Sequence, residues 1–192
     1  MFDVTVIGGG VVGALILREL SRYHLKALLL EAEDDVGTGA SRANSGVVHA
    51  GYDCEPGSKK AYFNVKGNKM FPSLVKELHV PYKNTGSLVA TDEHGIKELE
   101  DLTEKAKKNG VKVEIIGRER ILEIEPNVSD NIAYALYAPE AGVVAPYKLV
   151  VAAADSAILN GAEIKLNERV CDIKKTSAGY TVFTESGQKY ET

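Results

Sequence analysis

Apolar residues along this chain follow two rhythms, and the switches between them divide it into elements. Residues 3–7 (DVTVI) form a short β-branched apolar run, which predicts a buried strand. Glycines follow. From 11 to 23 the apolar positions Val12, Leu15, Ile16 and Leu20 recur at helical spacing. Residues 26–31 (KALLLE) are a second buried strand. Strand, glycine turn, helix and strand within about 30 residues make a βαβ unit with parallel strands.

Residues 33–57 are rich in glycine and lack a period, so a long loop with little structure of its own is expected there. A loop of that length within a compact domain is usually functional. Residues 58–78 read as mostly helical, with Gly67 and Pro72 as irregularities. A turn at 84–86 leads to a strand, SLVAT. Asp92 is placed to cap a helix built on Ile96, Leu99, Leu102 and Ala106 and stopped by Gly110. A strand at 111–116, a short helix at 119–124 and a strand at 131–138 follow. Pro146 opens a helix to Asn160, with Gly161 as its stop. Three hairpin-like strands then run to Thr192. They show no return to the opening sheet, and the chain reads as truncated.

The expected fold class is α/β: a Rossmann-like domain with a βαβ start and an inserted α+β substrate lobe. The expected division is 1–79 and 144–192 for the nucleotide-binding domain and 80–143 for the lobe.

Composition narrows the function classes. The chain has 192 residues, 44% hydrophobic and 26% charged, with net charge −4. That is an ordinary globular composition, and no basic run marks a nucleic-acid partner. No apolar stretch reaches the ~20 residues needed to span a bilayer, which does not bear on peripheral attachment. No signal-peptide pattern is read at the start. Cys54 and Cys171 are far apart and lack metal-site spacing, which fits a reducing, cytoplasmic setting.

Gly8-x-Gly10-x-x-Gly13 directly follows the first strand and opens the helix. Gly8 allows the sharp turn, Gly10 lets a pyrophosphate approach the backbone, and Gly13 lets the helix pack closely on the sheet. The helix N-terminus offers N–H groups and a positive dipole end to that anion. Glu31 closes the second strand, where a carboxylate can accept ribose hydroxyls. These features do not separate FAD from NAD, since both carry an ADP half. The next segment discriminates: a flavin site needs a long small-residue stretch along the cofactor, and residues 37–68 (GTGASRANSGVVHAGYDCEPGSKKAYFNVKGN) have that character.

These stretches resemble the FAD-dependent oxidoreductases of the D-amino-acid oxidase superfamily. Within it, the sequence is most similar to the anaerobic-type glycerol-3-phosphate dehydrogenases, with L-2-hydroxyglutarate oxidases close behind. The resemblance rests on DVTVIGGGVVG, ASRANSGVVHAGYD, PGSKKA…GN, GSLVAT, ILEIEPN and YAPEAGVVAPYKL, spread over nearly the whole chain. It implies that Gly8, Gly10 and Gly13 hold the FAD pyrophosphate and Glu31 the adenosine ribose. Ser41, Arg42, Asn44, Ser45 and Gly46 would line the cofactor, and Val170 would hold the adenine through main-chain groups. His49, which by itself reads as a histidine bonded to backbone, would lie near the flavin ring on the substrate side. There an imidazole can take a proton from a substrate hydroxyl. The implied activity is oxidation of a small anionic 2-hydroxy compound, foremost sn-glycerol 3-phosphate, with electrons passed to a further acceptor. The alternatives are oxidation of L-2-hydroxyglutarate or an amino acid.

The family's later cofactor and substrate residues are missing from this chain. It would therefore need a C-terminal half or a completing chain, and a nucleotide-binding fragment without activity of its own is the reading from another class. Arg42, Lys59 and Lys60 are candidates for anion contact, the two lysines reading better as solvated charges. Tyr82, Lys83, Thr85 and Ser87 are placed where the lobe would face the flavin. Cys54 is expected in a mobile loop.

Overall fold

The computed structural model describes all residues from 1 to 192. In chain order the elements begin β1 (Val4–Ile7), α1 (Val11–Leu20), β2 (Ala27–Leu30), β3 (Val47–Val48), α2 (Lys59–Glu77), β4 (Tyr82–Lys83) and β5 (Ser87–Thr91). They continue α3 (Ile96–Lys108), β6 (Glu114–Gly117), α4 (Arg118–Ile124), β7 (Tyr134–Ala138), β8 (Gly142–Val144) and α5 (Pro146–Leu159). The chain closes with β9 (Glu163–Lys165), β10 (Val170–Lys175), β11 (Tyr180–Thr184) and β12 (Lys189–Glu191). It divides into two compact units, one of residues 1–45, 76–81 and 145–192, the other of 46–75 and 82–144.

The first unit is layered on a parallel sheet in the order β1-β2-β9. All four residues of β2 are buried because both faces are covered. Ala27 and Leu29 pack with Leu17 of α1 and Ala157 of α5, while Leu28 and Leu30 pack with Val182 of β11. The period-two alternation of a strand thus feeds two apolar layers, one helical and one from the antiparallel β10-β11-β12 hairpins. On α1 and α5 the buried Ala14, Ala153 and Ala154 cluster with Val36 and Val150, their short side chains suiting close helix packing. Arg18, also buried, is paired with Glu77.

The second unit holds two antiparallel sheets, β5-β7-β6 and β3-β8-β4. Leu136 and Ala138 of β7 face Leu99 and Ala106 of α3, and Ala135 packs with Ile121 of α4. Alternate residues of one strand therefore bury helices on opposite sides.

Several expectations need adjustment. The helix at 58–78 forms without a break at Gly67 or Pro72. Gly95, not Asp92, is the N-cap of α3, while Asp92 accepts the His94 N–H at 2.9 Å in the preceding turn. The opening sheet does receive a return: β9 lies parallel to β2, with Leu29 beside Ile164. The compact units also divide differently from 1–79, 80–143 and 144–192. Residues 46–75 group with the second unit because β3 pairs with β8, and Val65 of α2 packs on the cluster that holds Leu99 and Leu136. Cys54 is buried, and burial pushes its thiol pKa up, so it is no exposed loop thiol.

Candidate cofactor site and histidine strap

In the first unit the glycine turn is held from two sides. The Gly8 N–H donates to Leu30 C=O at 2.8 Å, and Gly8 has φ +97°, a conformation that favours glycine. A Cβ on Gly13 would strike the Gly8 carbonyl oxygen and lie 3.3 Å from Val6 Cγ1. Gly13 therefore does what the motif requires of it: it lets α1 lie directly on the strand turn. Gly10 is the N-cap of α1 and supplies no side-chain cap, and the first turn holds no acidic residue. The helix thus brings no acidic residue of its own first turn to its positive end, where a ligand anion can bind. A Cβ on Gly10 would sit 3.2 Å from Ser41 Oγ, so this glycine also makes room for the loop.

Glu31 stands at the end of β2. Its Oε2 accepts the Gly9 N–H at 2.5 Å and its Oε1 the Glu33 N–H at 2.9 Å. A carboxylate has about four acceptor positions, so both oxygens retain capacity for ribose hydroxyls. Gly9 is a residue the spacing rule passes over as an x position. Its Cβ would lie 2.9 Å from Glu31 Oε2 and 3.1 Å from Val36 Cγ1, so any side chain there would push on the carboxylate. Three consecutive glycines were the available signal.

The loop after β2 folds back onto this turn. Gly37 N–H donates to Gly9 C=O at 2.9 Å, and Ser41 Oγ accepts the Val11 N–H at 2.9 Å. Asn44 Nδ2 bridges the carbonyls of Ala40 and Ser41, both at 3.0 Å, which shapes the turn before Ser45. A side-chain tie from α5 was not foreseen. Tyr147 Oη donates to Asp35 Oδ2 at 2.5 Å, and the Arg42 guanidinium lies 5.6 Å from the Tyr147 ring centre. The Tyr147 hydrogen bond, with that from Val36 N–H, holds the Asp35 carboxyl below its usual range. The structure thus gathers Gly8, Gly10, Gly13, Glu31 and Ser41 around one helix end, with Arg42 and Asn44 following in the loop that Ser41 fastens there. Val170 joins the same unit downstream of β9, its side chain packed against the buried Leu28, Leu30 and Val182. The Glu168 N–H donates to Glu31 C=O at 2.8 Å, so this segment runs along the end of β2. These residues fit an ADP-bearing dinucleotide: a helix end with no acidic residue in its first turn for the diphosphate, a carboxylate for the ribose, and backbone beside it.

In the second unit lies the strap that carries His49. The boundary between units falls inside the SRANSGVVHAG stretch, between Ser45 and Gly46. Gly46 has φ +69°, and its carbonyl accepts the Val144 N–H at 2.9 Å. Val47 and Val48 pair with Val143 and Gly142, and β4 pairs on the other side of β8. The strap and Tyr82–Lys83 are thus flanks of one small sheet. A Cβ on Gly142 would lie 2.5 Å from the Lys83 carbonyl oxygen and 2.7 Å from the Tyr82 hydroxyl, and the backbone atom cannot rotate away. Burial raises the Tyr82 pKa. His49 itself is exposed, and its carbonyl accepts Asn68 Nδ2 at 3.1 Å. Lys59 and Lys60 are exposed on α2, Thr85 bonds only its neighbour's carbonyl among its side-chain contacts, and the Ser87 hydroxyl is buried without a partner.

A parallel βαβ start, a glycine-capped helix end and an acid closing the second strand define a dinucleotide-binding fold. The chain belongs to the FAD dependent oxidoreductase family, whose model matches residues 3–192. It is 47% identical to a glycerol 3-phosphate dehydrogenase of Caloramator mitchellensis, over 96% of this chain and 39% of that protein. It is 35% identical to a mitochondrial L-2-hydroxyglutarate dehydrogenase of Nematostella vectensis, over 99% of this chain and 41% of the relative. Among solved structures it resembles the dithionite-reduced L-alpha-glycerophosphate oxidase of Mycoplasma pneumoniae with FAD bound. The TM-score is 0.88 at 30% identity, covering 97% of this chain and 50% of that one. The chain thus spans about two fifths of the curated relatives and half of the matched structure. No helix is long and apolar enough to cross a membrane.

Proposed function

We propose that this chain supplies the FAD-binding unit and part of the substrate side of a cytoplasmic enzyme that oxidises a small anionic 2-hydroxy compound, sn-glycerol 3-phosphate first. The observation that carries the reading is the Glu31 carboxylate beside the glycine-capped N-terminus of α1, backed by the loop that Ser41 and Gly37 fasten to the same turn. Gly8, Gly10 and Gly13 would seat the FAD diphosphate, Glu31 the ribose and the Val170 main chain the adenine. Ser41, Arg42, Asn44, Ser45 and Gly46 would follow the cofactor toward its ring. FAD, when bound, supplies hydride-accepting chemistry. His49 would accept the proton from the substrate hydroxyl as the carbinol carbon is oxidised, a role that a free imidazole nitrogen can fill. The remaining pocket would come from a C-terminal half or a completing chain, and the electrons would leave to a separate acceptor.

The similarity to glycerol 3-phosphate and L-2-hydroxyglutarate dehydrogenases supports both substrates, and the 47% identity favours the first. Anaerobic mixing of the intact flavoprotein with glycerol 3-phosphate, L-2-hydroxyglutarate and a set of amino acids tests this. Glycerol 3-phosphate should bleach the flavin fastest. Bleaching by an amino acid alone would refute the substrate assignment.

A further inference from the structure

Three asparagines of the second unit each use one side-chain nitrogen to bind two main-chain carbonyls. Asn68 on α2 donates to His49 C=O at 3.1 Å and Glu140 C=O at 2.9 Å. Asn109, the C-cap of α3, donates to Gly51 C=O at 3.0 Å and Cys54 C=O at 2.8 Å. Asn84 donates to Pro139 C=O at 2.9 Å and Ala141 C=O at 2.6 Å. The acceptors fall on two segments, residues 49–54 and 139–141. Residues 49–54 lie outside helix and strand, while Ala50, Gly51, Tyr52 and Cys54 are buried. Carbonyls in such a stretch lack ladder partners, and leaving them unpaired is costly. An amide nitrogen carries two donors, so one short side chain on a fixed helix can satisfy two of them.

We propose that Asn68 is a positioning residue for His49. It fixes the main chain that bears the imidazole, ties it to the Glu140 turn, and leaves Asn109 to hold the following bend. Because the clamp is made of amides rather than a strand ladder, the strap keeps its place while its outward side chain stays free to meet a ligand. The inference rests on the reading of His49 as the proton acceptor.

The test uses the intact flavoprotein with sn-glycerol 3-phosphate, or whichever compound of the panel bleaches it. Asn68→Asp keeps the shape but replaces both donors with an acceptor facing two carbonyls. Asn68→Ala serves if that variant fails to fold, and His49→Gln reports on the histidine itself. The expected result for either Asn68 variant is a kcat lower by tenfold or more, since a shift of about 1 Å can cost a hundredfold. KM and flavin content should stay within about twofold, the pH profile of flavin reduction should shift, and hydrogen exchange over 49–54 should quicken. Faster exchange with unchanged kcat and pH profile would overturn the positioning role while a slow His49→Gln left the histidine reading standing. A His49→Gln enzyme with normal rate and pH profile would overturn both.

Discussion

The same substitution in two helices should change stability in opposite directions. Alanine in place of glycine inside a helix gains ~0.8–1.0 kcal/mol from propensity alone. At Gly67 in α2 an added Cβ meets nothing within 4 Å, so Gly67→Ala should keep nearly all of that, about 0.5–1 kcal/mol. At Gly13 in α1 the added Cβ runs into the Gly8 carbonyl oxygen and lies 3.2 Å from its carbon. These are backbone atoms and cannot rotate away. Overpacking of this kind costs ~1–3 kcal/mol, and at the upper end this leaves a net loss of about 2 kcal/mol after the propensity gain. For a chain of this size a loss of 1 kcal/mol lowers Tm by about 2–4 °C. Relief would come from moving α1 off the turn, which spoils the seat of the diphosphate, so FAD affinity should fall about tenfold or more. Denaturant unfolding of the two apoprotein variants and FAD titration by flavin fluorescence measure both effects. Equal stability of Gly13→Ala and Gly67→Ala, with wild-type FAD affinity in both, would refute the packing argument and the role given to Gly13.

Two further outcomes follow from single contacts. Tyr147→Phe removes the largest influence lowering the Asp35 pKa. A depressed carboxyl stabilises the fold above its unfolded pKa and loses that contribution as pH falls through the folded value. The variant should therefore be less stable near neutrality, with the gap to wild type closing in acid below the usual carboxylate range. A gap that does not depend on pH, measured by denaturation across that range, would count against the Asp35 link. Cys171 is exposed and Cys54 is 2% exposed, with burial raising its thiol pKa. A neutral-pH thiol reagent should modify Cys171 quickly and Cys54 only on unfolding, and equal rates by mass spectrometry would contradict the buried placement.

The opening unit was legible because two local signals agree there: an unbroken apolar run for a strand covered on both faces, and a glycine turn at the head of a helical period. β9 was not, because a three-residue strand that joins β2 by register looks, in sequence, like the start of the hairpins that follow it. The residues expected around FAD were chosen by spacing and resemblance, and of these Gly8, Gly10, Gly13, Glu31 and Ser41 meet at the head of α1. Tyr147 and Asp35, 112 positions apart, offered no local cue. The asparagine clamp was equally silent, since a polar residue on a helix ordinarily reads as solvated. Asp92 misled for a plain reason: an Asx turn three residues ahead of a helix resembles an N-cap when only residue types are visible.

The central claim is that the turn at Gly8–Gly13, Glu31 and the loop to Ser45 form an FAD site. Chromatography of the nucleotide released by denaturing the purified intact protein tests it most directly, with Glu31→Gln alongside. The account predicts one FAD per chain in the wild type and a clear loss of bound FAD in the variant. Release of NAD, or a colourless protein that takes up no added FAD, would contradict it.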